Sequence, residues 1–412
     1  MQICHSVIAR SRKLAATLLA PLILLTVSNV LLAAPYIPTS DATPLTQLST
    51  KLAPSVQAQT RITPSNRAMR ALLARDPKNV DLAVRIAQLY VSRSRSQSDP
   101  RLLGQAQAAL GVWWAQAEPP VPVLLLRATI RQTNHDFTQA RHDLEQAVTR
   151  EPRNSQAWLT LATVQQVTGN LKSAAESCGH LVPIAPGLIS TTCIANVNGA
   201  QGQASQSFDL LTRALAESAA DRSTTPGVKT WVLTLQAELA ERLSRMADAE
   251  RLYRASLALD PSDAYTVAAF SDFLIDAGRA GEVLPLIPAT TPTDILLLRR
   301  AIAAKAIAAP DSAMLADLLG QRFAASRARG DRVHLREEAR FALTIKNAPD
   351  EALDLARANW AVQKEPLDAR IALEAALAAK RPDAAREIVA WVDSTKLEGS
   401  KLAQLTTLAR TP

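Results

Sequence analysis

The residues able to do chemistry are few. Cys178, His180 and Cys193 are of the types that ligate zinc, but they lack an evident fourth ligand, and a structural zinc site is almost always closed by four. His135 and His142 are each followed by an aspartate, Asp136 and Asp143, which invites a second metal reading. The acidic pair Glu337-Glu338 reads as a solvated helix face. Ser-His-Asp arrangements, Gly-rich phosphate loops and zinc-finger spacings do not occur. Nothing here points to catalysis or to a bound cofactor, so the residues must serve as framework or as contact surface.

The composition says which elements carry them. Hydrophobic residues are 48% of the 412, aromatics only 4%, and there are 13 glycines. That is thin for a sandwich or barrel. Alanine and leucine dominate the apolar share and favour helix. Three cysteines exclude a disulfide-rich fold, and the apolar content excludes a disordered chain. The expectation is an all-α protein.

Residues 1–34 read as a secretory signal peptide: a basic start with Arg10, Arg12 and Lys13, an apolar run from Leu14, and a small-residue end at Ala33-Ala34. The run is also long enough to span a bilayer if uncut, so an N-terminal anchor in the inner membrane is the alternative. No cysteine directly follows the run, which argues against a lipoprotein. Removing the segment takes three positive charges from the formal +8 and leaves +5, too mild an excess to imply nucleic acid. Residues 35–66, rich in Pro, Thr, Ser and Gln, read as a linker.

A repeat near 34 residues organises the centre. Three segments end alike, at Pro152, Pro186 and Pro261. Before each, small and large apolar residues recur at fixed offsets: Leu124, Ala128, Ala140, Leu144 and Ala147; then Trp158, Leu161, Ala162, Gly169, Ala174 and Cys178; then Leu233, Ala237, Ala249, Tyr253 and Ser256. Small residues let two antiparallel helices approach, large ones fill the gap to the next pair, and proline ends the second helix. This pattern resembles the tetratricopeptide repeat, which implies a right-handed superhelical α-solenoid of helix pairs. The best repeats are 121–152, 155–186, 188–219 and 230–261, within an array over 67–290. A weaker copy lies upstream, its halves pushed apart by extra residues around Ser94–Pro100, and residues 220–228 are expected to interrupt the array. Residues 291–412 read as degenerate helix pairs ending in a cap, as an open stack requires.

The resemblance implies a groove lined by the first helix of each repeat. Its inward positions are Pro122, Leu125, Thr129, Gln132 and Thr133, then Gln156, Leu159, Thr163, Gln166 and Val167, then Ile189, Thr192, Asn196, Gly199 and Ala200. This lining is amide, hydroxyl and small apolar, suited to an extended, neutral peptide. The carboxylate clamp of the family's chaperone-binding members is absent. From Thr230 the row becomes Trp231, Thr234, Glu238, Glu241 and Arg242, a second, charged subsite. The competing expectation is that the groove packs against the chain's own linker or C-terminal helices.

In this register Cys178 and Cys193 fall on packed neighbouring helices, so an exported chain would join them in a disulfide; two buried thiols are the alternative. His135 falls in a turn and His142 on a second helix, both as solvated surface. The functional expectation is a non-catalytic, periplasmic or surface-exposed scaffold that binds another exported or envelope protein, without nucleic acid, and touches a membrane only if its N-terminal segment is retained. The alternative is an accessory protein handling metal or redox cargo through Cys178 and Cys193.

Overall fold

The computed structural model describes residues 64–97, 101–219, 221 and 224–411, all within one compact unit, Pro54–Pro412. The expected signal peptide and nearly all of the linker lie outside the described residues. No strand occurs among those described.

Among the described residues, twenty α-helices follow in order. The first four are α1 (Pro64–Arg75), α2 (Val80–Gln97), α3 (Arg101–Ala109) and the short α4 (Gly111–Trp114). Four full pairs come next: α5 (Val121–Thr133) with α6 (Phe137–Arg150), α7 (Ser155–Val167) with α8 (Leu171–Leu181), α9 (Gly187–Gly199) with α10 (Ala204–Glu217), and α11 (Pro226–Arg242) with α12 (Met246–Leu259). Then α13 (Ala264–Asp276) pairs only with a 3-10 turn at Ala280–Val283. The C-terminal third holds α14 (Asp294–Ala306), α15 (Ser312–Ala328), α16 (Leu335–Thr344), α17 (Pro349–Trp360), α18 (Pro366–Ala378), α19 (Arg386–Thr395) and α20 (Ser400–Arg410).

Local chemistry sets the helix starts. The Asn154, Thr225 and Asp263 side chains accept from the Ala157, Val228 and Thr266 amides, satisfying donors that a helix start leaves open. Prolines occupy the first turns of α11, α17 and α18, where no donor is needed.

The turn inside each pair is built alike. His135, Gly169, Gly202, Ser244 and Gly278 all have left-handed backbone, with φ between 58° and 80°. The amide after each reaches back five residues, as from Asn170 to the Gln165 carbonyl and from Gln203 to the Asn198 carbonyl. This is the Schellman helix end, and it recurs at Ala308 and Lys380. The C-terminal third therefore keeps the turn after losing the apolar signature.

Packing is serial. Ala128, Ala140 and Leu144 join one apolar cluster, and Ala162, Ala174 and Cys178 the next. A third holds Phe208 and Leu211 together with Val232, Ala237, Ala249 and Tyr253. Successive clusters follow along the chain, as in a quasi-one-dimensional array. The third corrects one expectation: residues 220–228 do not break the stack, because the core runs from α10 directly into α11. The extra residues near Ser94 also find a role, lengthening α2 to 18 residues. A last cluster, from Ala339 to Leu405, belongs to the C-terminal helices alone, with α20 laid over α18 as the closing layer.

Candidate partner-binding groove

The expected groove row is present on α5, α7 and α9, with its residues in differing states. Thr133, Gln156 and Thr163 are exposed; Leu125, Thr129, Gln132, Leu159, Gln166 and Asn196 are half-buried. The hydroxyls are already committed as donors. Thr129 Oγ1 donates to the Leu125 carbonyl at 2.8 Å, Thr133 to Thr129 at 2.9 Å, and Thr163 to Leu159 at 2.9 Å. Such bonds to the preceding turn leave a hydroxyl only its acceptor side. Gln156 donates to Thr160 Oγ1 at 3.0 Å. The side-chain amides of Gln132, Gln166 and Asn196 have no hydrogen-bond partner among the described residues, so they are the row's free donors.

Four positions of the wider row prove to be core instead. Thr192 is buried and donates to the Leu188 carbonyl at 2.6 Å. Gly199 and Ala200 are buried, and a Cβ at Gly199 would lie 2.6 Å from a Leu239 methyl. Thr234 bonds Ser256 and Thr266 inside the stack. The repeats here crowd more closely than the register alone conveys.

Glu238 and Glu241, from the charged part of the row, keep their places. Tyr265 donates to Glu238 at 2.6 Å and Tyr253 donates to Glu241. Burial, with Glu238, Asp276 and Asp272 nearby, pushes the Glu241 carboxyl up to about 8, although the Tyr253 bond opposes this. Burial raises Glu238 as well, and the charge of Glu365 adds to the effect. Arg242 donates to the Gly199 carbonyl at 3.0 Å.

Glu365 stands beside this row because the C-terminal helices return to the turns of the central repeats. The Lys364 amide donates to the Val167 carbonyl at 2.8 Å. The Glu398 carboxylate accepts from the Ala204 amide at 2.6 Å. Arg370 grips Asp276 with both terminal guanidinium nitrogens, one at 2.7 Å. Two turn glycines permit the approach: a Cβ on Gly169 would lie 2.9 Å from the Lys364 side chain, and one on Gly202 would lie 2.8 Å from Lys396. Between the two surfaces is a cavity of about 470 Å3, bounded by Gly169–Ser173, Gln201 and Gln203 on one side and Trp391 and Ser394–Lys396 on the other.

The base of the returning block is ionic and buried. Asp272 meets Arg299 at 2.9 Å and Arg340 at 2.7 Å; burial raises its carboxyl, but the two guanidinium groups outweigh this and hold it at about 2. Arg336 joins Asp368 and Glu365. Glu337 and Glu338 are only 6% and 3% exposed, so they are not a solvated face: Glu338 pairs with Arg327, and Glu337 lies 3.9 Å from Arg299. His135 is also half-buried, stacked on Phe137. Burial, with Arg336 and His334, pushes it down to about 4 against the pull of Asp368. His142 is exposed, as expected.

Cys178 and Cys193 are joined by a disulfide between α8 and α9, with Cα atoms 5.6 Å apart. Both are buried, and in this state neither sulfur can ligate a metal. His180 instead stacks on Trp158 at 4.0 Å. No group of three or more potential metal ligands occurs among the described residues, and no described helix is long and apolar enough to cross a membrane. One feature of the first full repeat escaped the sequence reading: Arg127 and Arg131 converge on the fully buried Asp143, each at 2.6 Å. Arg127 also donates to the Trp114 carbonyl at 2.8 Å. Its signal was a charged residue inside an apolar run, between Leu126 and Ala128.

Comparison with known proteins adds to this geometry. The family model for the tetratricopeptide repeat matches residues 125–188. No curated protein matches the chain. Among solved structures, similarity is found to yeast Tom70 (11% identity, 86% of this chain and 85% of that one, TM-score 0.37). A tetratricopeptide repeat protein from Parabacteroides merdae is similar at 15% identity, over 70% of this chain and 98% of that one, with a TM-score of 0.27. The APC/C hetero-tetramer Cut9–Hcn1 is similar at 11% identity, over 84% and 86%, with a TM-score of 0.30. The chain is an all-α helical-repeat protein whose residues 125–188 match the tetratricopeptide repeat.

Proposed function

We propose that the chain is a non-catalytic scaffold of the bacterial envelope that holds an extended, neutral segment of another exported protein along α5, α7 and α9. The observation that carries this reading is the row of side-chain amides at Gln132, Gln166 and Asn196, half-buried and without partners among the described residues. An amide offers both a donor and an acceptor to a peptide backbone, whereas the neighbouring threonines offer acceptors only. Placement in the envelope rests on the basic and apolar composition of residues 1–34, and a disulfide between Cys178 and Cys193 accords with an oxidising compartment. Handling of redox cargo fits less well, since both sulfurs are shielded from an incoming thiolate.

The test is a crosslinking pull-down from envelope extracts, comparing the wild type with Gln132→Ala, Thr163→Ala and Gln166→Ala combined. A protein recovered by the wild type and lost by the triple variant supports the groove. An unchanged set of recovered proteins overturns it.

A further inference from the structure

The surface between the returning C-terminal helices and the central repeats differs in kind from every other junction in the stack. Elsewhere, neighbouring pairs share an apolar cluster. Here the cluster from Ala339 to Leu405 contains no residue from the central repeats. What crosses is polar: the Lys364 amide to Val167, the Glu398 carboxylate to the Ala204 amide, and Arg370 to Asp276. Between these contacts a cavity of about 470 Å3 is left open. A junction without shared apolar packing resembles a transient interface between domains. It exchanges its hydrogen bonds with water on opening, at small net cost. At its base the block is held firmly, because Phe341 of α16 packs with α14 and α15 and Arg340 is buried against Asp272.

We propose that the C-terminal block carrying α17–α20 forms an intramolecular latch that closes against the turn edge of the central repeats and must open for a partner to occupy the full length of the groove. The inference rests on the groove reading above. The two are adjacent in the chain: Val167, whose carbonyl the latch takes, directly follows Gln166, one of the free amides.

The latch is read without any partner. Ser173 and Ser394 line opposite sides of the cavity, and the native pair Cys178 and Cys193 is consumed in its disulfide. Spin labels at Ser173→Cys and Ser394→Cys, in the full chain with Cys4→Ser, should give one short, narrow distance. Adding Arg370→Ala and Glu398→Ala should produce a second, longer population that grows in 1 M salt. A distribution unchanged by both treatments overturns the latch. If the double variant does not fold, amide hydrogen exchange of the wild type decides. Lys364 and Ala204 should exchange at least tenfold faster than Leu373, in the core of the block; equal rates mean that the block opens only by global unfolding, and the latch fails. An opening latch with a negative pull-down would reject the groove reading alone.

Discussion

The Glu398 carboxylate accepts a hydrogen bond from the backbone amide of Ala204, 194 residues earlier in the chain, at 2.6 Å. Ala204 begins α10, and the residue before it, Gln203, provides no side-chain cap. The C-terminal region therefore supplies to a central repeat what Asn154 supplies locally to α7. A carboxylate at a helix start is favoured both by the open amides and by the helix dipole.

Glu398→Ala should accordingly destabilise the chain by about 0.5–2 kcal/mol, the usual worth of a lost cap. Glu398→Gln should recover part of it, since its carbonyl oxygen still accepts. Urea unfolding reads both; equal stability of all three proteins would show that the bond contributes nothing in solution.

Asp143 is the second point of leverage. It is fully buried between Arg127 and Arg131, both within 2.6 Å. Asp143→Ala leaves the buried Arg127 guanidinium without its carboxylate, and breaking such a pair costs about 3–5 kcal/mol. Hydrogen exchange should show α5 and α6 losing protection first. Replacing both partners, Arg127→Leu with Asp143→Leu, should cost much less than the single change, because no charge is then left alone. A double variant as unstable as Asp143→Ala would contradict this account.

How much of this was legible in the sequence follows from the range of each interaction. The helix pairs were readable because Ala128, Ala140 and Leu144 repeat at offsets set by one helix meeting its neighbour. Placing Cys178 and Cys193 on adjacent helices was readable for the same reason. Thr192, Gly199 and Thr234 were misplaced because the register assigns an inward face without saying how closely the next repeat presses on it. Glu337 and Glu338 were misread because a carboxylate counts as surface until its arginine is known, and Arg299 lies 38 residues away in sequence from Glu337. The return of α17–α20 has no local signature at all: its contacts are a backbone amide, a carboxylate and one ion pair, each ordinary in itself.

The disulfide makes a third prediction. It closes a loop of 15 residues between α8 and α9, for which chain entropy gives about 3 kcal/mol of stabilisation. The variant Cys178→Ser with Cys193→Ser should lose up to that amount in denaturant. Thiol counting on the unfolded, unreduced wild type should find both residues unreactive. Two reactive thiols there would mean that the chain carries free cysteines in its native compartment.

The last prediction concerns pH, and its sign follows from three groups. Folding raises Glu241 from its ordinary value of 4.5 to about 8. The folded chain thus holds a proton that the unfolded chain has released, and stability falls as pH rises between those values. Glu238, also raised, acts in the same sense. His135 acts oppositely: lowered from 6.5 to about 4, it contributes stability that is present above 6.5 and lost as pH falls through 4. Between about 4.5 and 6.5 His135 opposes the two carboxyls, so the window in which Glu241 acts unopposed by it is about 6.5 to 8. Across it the wild-type Tm should decline. Glu241→Gln keeps an acceptor for the Tyr253 hydroxyl while removing the charge that must appear among Glu238, Asp272 and Asp276. The variant should show a flatter profile and a higher Tm than the wild type at pH 8.5, measured by circular dichroism at constant salt. Parallel profiles for the two proteins would place the Glu241 carboxyl in the ordinary carboxylate range and remove it as the origin of the decline.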